Sequence, residues 1–400
     1  MHVLMLAQYF PPDKGGASTR ASNMIKGLRK KGCNITVVTA FPHYPHGKVP
    51  TKYKGKPLMV EERDGVRVIR VWIPSLPHNT IVNRMLLHLC FMVSSLFALP
   101  LVGKVDVIWA TNPNLFSFFP SVVYGFVKQR SIVRNVDDLW PEVFYELGLV
   151  RSGLIRKLFD LLTWFSYTVP VAITPVSAGY KRRIVAKYHV PLEKVHVIEV
   201  GVDLVQPLEV DEESTTDRFV VMYSGVLGLG YDFDIILEAA KILAENKDIV
   251  FVIRGFGELA TKLQKQILSL NLRNVVFDIN FLPEDKLSAL LRSADVFLLP
   301  MVSLHFVDAG LPTKIFEYQS YRKPIICISN GEPARYIRAT GSGLIVKPKD
   351  ASGLAEAVIS LYKDAKLASE LGCNGWQHVS TKMTTEKISD RLYEVLASAV

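Results

Sequence analysis

Leu311-Pro312-Thr313-Lys314-Ile315-Phe316-Glu317-Tyr318, followed by Arg322-Lys323-Pro324-Ile325-Ile326, reads as a loop, a helix and a buried strand. Pro312 and Thr313 mark a helix start, with Thr313 as the capping side chain. Lys314 falls in the first turn and Glu317 three residues on, so the two share a face. A helix N-terminus carrying a lysine suits a phosphate. A carboxylate one turn further in suits a ribose diol. A capping box does not account for Glu317, because the reciprocal carboxylate would stand where Phe316 does.

Outward from this stretch, apolar runs alternate with helical periods along most of the chain. Strands are expected at 2–7, 35–40, 66–72 and 105–110, with Ala21, Met24, Ile25 and Leu28 marking a helix after the first. The alternation restarts at 219–223 and continues through strands at 249–253, 275–277, 295–299, 324–328 and 343–346. Helices are expected at 283–294, 313–318 and 352–363, and on the face formed by Phe233, Ile236, Leu237, Ala240 and Leu243. Such β–α–β alternation implies parallel sheets covered on both sides. Between the two series lies a polar run with Glu209, Asp211, Glu212, Glu213, Ser214, Thr215 and Thr216, which reads as a domain boundary. The chain therefore reads as two tandem doubly wound α/β domains, 1–203 and 204–378, whose ligand loops gather at the strand carboxyl ends around a shared cleft.

Four hundred residues, 49% hydrophobic and 21% charged, supply two large cores. The net charge of +9 favours phosphates or anionic lipid. No zinc-finger spacing or aromatic RNA-binding signature points to nucleic acid. Cys33, Cys90, Cys327 and Cys373 are far apart and form no CxxC, so no disulfide framework is expected. The apolar start reads as a first buried strand and not as a signal peptide, which implies a cytoplasmic protein. His43 and His46 flank Pro45, which argues against helical i,i+3 geometry, so no metal site is expected there.

The stretch from 311 to 326 resembles the nucleotide-sugar grip of the family 4 glycosyltransferases, which have the two-domain GT-B fold. The resemblance covers nearly the whole chain. It implies transfer of a sugar, with retention, from a UDP-linked nucleotide-sugar to a hydroxyl of a lipid-linked saccharide. It implies no obligatory metal or other cofactor. The helix near the end of the chain, about 379–400, would pack back on the first domain. On this likeness Leu311, Thr313, Lys314 and Glu317 hold the donor, with Gly310 before them and Glu332 in the next loop. Gly15-Gly16 matches a glycine pair facing the donor; it is not the G-x-G-x-x-G of a dinucleotide site. Gly225 ends the first strand of the second domain, and Gly255-Phe256-Gly257 follows the next. Arg254 and Lys262 become diphosphate partners.

Two departures from the family stand out. The Arg/Lys pair expected after Gly225 is replaced by Val226-Leu227-Gly228-Leu229-Gly230-Tyr231. The first Glu of a Glu-x7-Glu motif falls at Ala309, leaving neighbouring Asp308 to substitute. Arg134-Asn135-Val136-Asp137-Asp138-Leu139-Trp140-Pro141-Glu142 resembles the Asp-Leu-Trp-Pro segment of members that act on lipid-linked sugars. Asp138 would orient a sugar hydroxyl or accept its proton, and Trp140 would stack on a sugar. A nucleotide-sugar epimerase of the same fold, and a protein that binds nucleotide-sugar without breaking it, are the alternatives.

Residues 85–102 carry no formal charge and lie between Arg84 and Lys104. As one helix they would span roughly 27 Å at ~1.5 Å per residue, marginal for a hydrocarbon core roughly 30 Å thick. His88, Ser94, Ser95 and Pro100 weaken a crossing further. The segment reads either as a core helix or as an interfacial one holding the protein peripherally on the cytoplasmic face of a membrane. Phe91 and Leu96 would both face the core in the first case and both face lipid in the second. Residues 153–169, also apolar and flanked by Arg151, Arg156 and Lys157, would join them.

Overall fold

A computed structural model describes the chain apart from residues 14, 45, 79, 112–114, 147, 149 and 206–217, and apart from the side chain of residue 306. The polar run read as the domain boundary, and Pro45, lie outside the described residues. The chain divides into two compact units, Met1–Gly201 with Thr385–Val400, and Val202–Thr384.

The first unit is built on seven strands: β1 (His2–Leu6), β2 (Asn34–Ala40), β3 (Leu58–Arg63), β4 (Val66–Val71), β5 (Val107–Ala110), β6 (Ile132–Val136) and β7 (Ala172–Pro175). Their order is β3-β4-β2-β1-β5-β6-β7. All pairings are parallel except β3 on β4. The central strands are buried on both faces, as parallel strands covered by helices must be. β6 and β7 were not expected from the sequence, and neither was β3. It is a half-exposed edge strand carrying Glu61, Glu62 and Arg63, the charged composition that keeps an edge from pairing further. Fully buried Arg70 of β4 pairs with Glu61 and donates to the Pro11 carbonyl, which fixes that edge to the loop after β1.

The second unit is wholly parallel: β8 (Phe219–Ser224), β9 (Ile249–Arg254), β10 (Val275–Asp278), β11 (Val296–Pro300), β12 (Ile325–Ile328) and β13 (Gly343–Val346), in the order β10-β9-β8-β11-β12-β13. Val221, Tyr223, Phe251 and Leu298 form a core with Ile236 of the helix Asp234–Ile242 and with Leu354 and Val358 of the helix Ala351–Lys363. In each unit the strand order reverses once, between β1 and β5 and between β8 and β11. Ligand crevices form at such reversals, outside the carboxyl ends of the strands.

Residues 85–102 do not form one helix. The helix Ile81–Ser94 gives way to a tight 3-10 segment, Ser95–Leu101, containing Pro100. The Ser94 and Ser95 hydroxyls donate back to the carbonyls of Phe91 and Met92, which competes with helix continuation at the join. Ile81–Leu101 is long and apolar enough to cross a membrane by composition, yet a third of its most apolar window is buried in the protein. Phe91 has no exposed surface and Leu96 packs on the same core, so neither is a lipid-facing residue.

The chain returns to the first unit at Thr385. The helix Thr385–Ala397 lies against the helix Gly16–Lys30 and buries Ile388, Leu392 and Leu396. Gly27 permits the approach: a β-carbon there would stand 2.3 Å from the Ser389 Cβ. Gly27→Val should therefore force the helices apart and cost about 1–3 kcal/mol, read as a lowered melting temperature.

Candidate active site

Because β8 to β13 run parallel, the loops after β8, β9, β11 and β12 all leave one edge of the sheet, and most of the predicted residues of this unit lie on them. The β8 and β9 loops interlock. The Leu227 N–H donates to the Phe256 carbonyl at 2.8 Å, and the Leu259 N–H to the Leu227 carbonyl at 3.0 Å. Gly225 and Gly257 adopt φ of 147° and 157°, which disfavour any side chain. A β-carbon on Gly257 would strike the Leu227 carbonyl oxygen at 2.3 Å. On Gly225 it would land 2.2 Å from the Lys314 Nζ, so that glycine makes the seat for the lysine.

Lys314 opens the helix Lys314–Ser320. Its ammonium sits 5.6 Å from the Tyr223 ring centroid and 5.3 Å from that of Tyr231. Such placement attracts a cation to the ring faces. Among the described residues no carboxylate ion-pairs with it. The carboxylate of Glu317, one turn on, receives no hydrogen bond among the described residues. Burial pushes its pKa up, against the opposing pull of Lys314. The helix is held by Tyr318, whose hydroxyl donates to the Ser224 carbonyl at 3.0 Å and accepts the Ser224 N–H at 3.1 Å. The Tyr318 ring stacks on Phe297 of β11, centroids 4.1 Å apart. Thr313 does not cap the helix through its side chain. Its φ of −53° and ψ of −30° are already helical, whereas a capping residue is extended.

Other predicted residues are committed elsewhere. Arg254 is buried; it donates to the Asn280 carbonyl at 3.0 Å, lies 3.5 Å from Asp278 and reaches the Ser224 hydroxyl at 3.4 Å. That makes it a tie between strand ends. Lys262 is exposed and stands 3.4 Å from Asp234. Glu332 pairs with Arg335 at 3.1 Å. Asp308, on the short helix His305–Ala309, packs against Gly331, where a β-carbon would meet the Asp308 carbonyl oxygen at 2.2 Å. The Gly310 N–H is used by the Val307 carbonyl, and Leu311 is buried beside it.

In the first unit, Gly15 lies against the Tyr44 ring, 2.9 Å from where its β-carbon would be, while Gly16 opens the next helix with free space around it. Arg20 of that helix reaches across to the end of β6. It bonds the Asn135 Oδ1 at 2.9 Å and the Ile198 carbonyl at 2.7 Å, and lies 3.3 Å from Asp137. Asp137 also accepts from Asn135. Its neighbour Asp138 has no such partner among the described residues. Asp138 is solvent-exposed, yet protein crowds its carboxyl closely enough that desolvation, ahead of the Asp137 charge, pushes its pKa up to about 7. Arg134 is wholly buried between the Phe118 and Tyr167 rings and bonds Ser166. Trp140 packs edge-on against Phe144 and His88, so its ring is engaged within the protein. His43 is buried, stacked on Tyr9 and His78, with its amide held by Asp13. Among the described residues no group of three His, Cys, Asp or Glu side chains is arranged to hold a metal ion.

Sequence reasoning missed Tyr223, Tyr231, Tyr318 and Arg20. Tyr318 lies in the decisive stretch, but its role depends on a strand end ninety-four residues away in sequence, at Ser224. Nothing local marks Arg20 as buried.

Two family models match the chain in tandem. "Glycosyltransferase Family 4" covers residues 14–206 and "Glycosyl transferases group 1" covers 207–378. The chain belongs to the family 4 glycosyltransferases of the GT-B fold. It is 26% identical over 339 residues to the putative colanic acid biosynthesis glycosyl transferase WcaI of Escherichia coli K12, covering 79% of this chain and 80% of that one. It is 29% identical over 243 residues to the D-rhamnosyltransferase WbpZ of Pseudomonas aeruginosa, covering 58% and 60%. Among solved structures it is similar to Anabaena Alr3699/HepE in complex with UDP and glucose, with a TM-score of 0.71, 16% identity and all of both chains covered. It is similar in the same way to sucrose-phosphate synthase from Thermosynechococcus elongatus, with a TM-score of 0.73, 16% identity, and coverage of 100% of this chain and 99% of that one.

Glu317 yields a stability prediction. A carboxyl whose pKa is raised by folding favours the folded state when protonated and loses that contribution as pH climbs above the ordinary carboxylate range. Glu317→Gln should therefore melt no lower than the wild type at pH 4, and at an equal or higher temperature than the wild type at pH 7.

Proposed function

We propose that this glycosyltransferase acts in glycan biosynthesis, moving a hexosyl or N-acetylhexosaminyl group from a UDP-sugar to a hydroxyl of a lipid-linked saccharide, with retention at the anomeric carbon. The acceptor is met at the cytoplasmic face of a membrane. The observation that carries the reading is the uncommitted pair Lys314 and Glu317 on one helix, strapped by Tyr318 to the strand end at the point of order reversal. Relatives named for colanic acid biosynthesis and rhamnosyl transfer, and a structural neighbour solved with UDP-glucose, support the class of substrates.

In this reading the second unit holds the donor. Lys314 meets the diphosphate and stabilises the charge that grows on it as the glycosidic C–O bond breaks, without an obligatory metal. Glu317 accepts hydrogen bonds from the ribose hydroxyls. Gly225 and Gly257 let backbone approach the donor. Arg254 supports the loops, and Lys262, held only by an exposed ion pair of little worth, is a second cation that can turn to the phosphates. Asp308 takes the sugar hydroxyls, Glu332 turns from Arg335 toward the nucleotide, and Gly310, Leu311 and Thr313 shape the loop that holds the donor. In the first unit Asp138 orients the acceptor hydroxyl and accepts its proton, while Asp137 is held in place by Arg20. Gly15 and Gly16 give the loop its close approach to the donor.

Incubation with a panel of nucleotide-sugars should release nucleotide only when a lipid extract is added. Release without acceptor would favour an epimerase, and binding without any release a non-catalytic protein. Glu317→Gln should weaken UDP binding roughly 10- to 100-fold by calorimetry, the loss of a charge-assisted bond of about 1.5–3 kcal/mol. Lys314→Ala should lower turnover about 10²- to 10³-fold with little change in melting, whereas Arg254→Ala should chiefly lower the melting temperature. Turnover should rise with pH as Asp138 ionises near about 7, and Asp138→Asn should remove that limb of the profile.

A further inference from the structure

The helix Gly153–Thr168 is inside out. It buries Thr163, Ser166 and Tyr167, and exposes Leu154, Ile155, Leu158, Leu161, Trp164 and Phe165. Those six recur at helical spacing, so they form one apolar stripe directed away from the unit. Leu154 keeps 80% of its surface exposed. A stripe of this size on a surface helix marks something that covers it.

The stripe does not stand alone. The helix Phe119–Lys128 is its neighbour through the Phe119–Phe165 stack, and it exposes Val123, Val127 and, to 85%, Phe126. The helix Ile81–Ser94 shares a core cluster with Phe118 and Tyr124 through Leu87 and Phe91. Its outer side carries Val82, Leu86, Leu89 and Val93 in register, followed by Phe97 at 68% exposure. The helix Phe119–Lys128 thus touches both the helix Ile81–Ser94 and the helix Gly153–Thr168, and each of the three exposes apolar side chains.

The charges beside these helices identify the occupant. Arg84, Lys104, Arg130, Arg151 and Lys157 flank the stripes. Against them stand Asp106, which holds the His2 amide at 2.7 Å, and Asp160, which pairs with Lys187 at 3.2 Å. A second copy of the chain would bring a rim of the same sign. A surface that is apolar below and anionic above fits both features.

We propose that this face of the first unit, centred on Leu154, Leu158 and Phe126, is where the protein docks on an anionic lipid bilayer, lying in the interface without crossing it. It deepens the lipid-linked-acceptor reading and rests on it for purpose. Its test uses neither donor nor acceptor, so a protein that transfers sugar yet ignores vesicles overturns the docking face and leaves the transfer reading intact.

The test is flotation of the full chain with vesicles of phosphatidylcholine, with or without about a third phosphatidylglycerol, at about 0.1 M and about 1 M salt. The wild type should float with the anionic vesicles at low salt, and more weakly but measurably at high salt. The doubly substituted Leu154→Asp, Leu158→Asp protein should lose at least about tenfold in binding with its melting temperature kept, because both side chains are exposed. Arg151→Gln with Lys157→Gln should lose roughly fivefold per charge on anionic vesicles and nothing on neutral ones. Phe91→Ser should melt early, marking the opposite side of its helix as core. A wild type that never floats overturns the proposal, as does a Leu154→Asp, Leu158→Asp protein that floats unchanged. So does a wild-type dimer that those substitutions dissociate, which would make the face a protein interface.

Discussion

The candidate site depends on a single hydroxyl. Tyr318 both donates to and accepts from the backbone of Ser224, satisfying the two polar groups at the end of β8 and fixing the helix that follows β11 against them. An unpaired backbone group there would cost about as much as a lost hydrogen bond. Stacking on Phe297 sets the ring plane, so the helix has little freedom to roll. The direction of Lys314 and Glu317 follows. Gly225, the next residue along from the strap, is bare where the lysine chain crosses it. Strand order brings these parts together, and the tyrosine sets their spacing.

Charge is distributed on the same principle in both units. Most buried cations are consumed by structure. Arg20 is spent on Asn135, Asp137 and a carbonyl, Arg134 on rings and Ser166, and Arg254 on Asp278, a carbonyl and Ser224. A buried guanidinium with these partners rigidifies the strand ends it touches, because leaving any of them unpaired is costly. Among the described residues predicted for the site, Lys314, Glu317 and Asp138 have side chains with no ion pair or hydrogen bond to a partner. Asp137 and Asp138 show the division most clearly. Burial raises the pKa of both carboxyls, but Arg20 and Asn135 oppose the rise at Asp137, whereas at Asp138 the neighbouring Asp137 charge adds to it.

The parallel framework was legible because buried parallel strands are continuous apolar runs. Gly343–Val346 was placed to the residue, and the other expected strands to within one or two residues at each end, while β6 and β7 went unread. What the pattern could not carry was anything half-exposed, decided at a distance, or broken by polar residues in a short buried run, as Arg134 and Asn135 break β6 and Thr174 breaks β7. β3 alternates weakly and holds three charges, so its apolar signal is short. Thr313 has the composition of a cap, but the backbone there is already helical. Arg254 follows a strand and precedes glycines, which suits a phosphate ligand. Only the nearness of β10, a matter of sheet order, shows that Asp278 and the Asn280 carbonyl claim it. Lys314 and Glu317 were legible because their relation is one helical turn, the one long-lived geometry that sequence alone dictates.

The apolar run at 85–102 shows the same limit from the other side. Composition registers how apolar a helix is, and burial then divides that surface between core and exterior. Here the division is uneven. Phe91 and Leu87 go inward, while Val82, Leu86, Leu89 and Val93 go outward. The helix Gly153–Thr168 carries this further by turning its hydroxyls inward, where Thr163 and Ser166 bond back to the carbonyls of Phe159 and Thr163. Those local bonds make hydroxyl burial inexpensive. They satisfy the polar groups inside the helix itself, so the packed side needs no apolar stripe to be stable. The large side chains are thereby left for the surface. An arrangement that gives up core burial for exposed leucines loses folding free energy in water, and it is consistent with a fold whose working environment is not water alone.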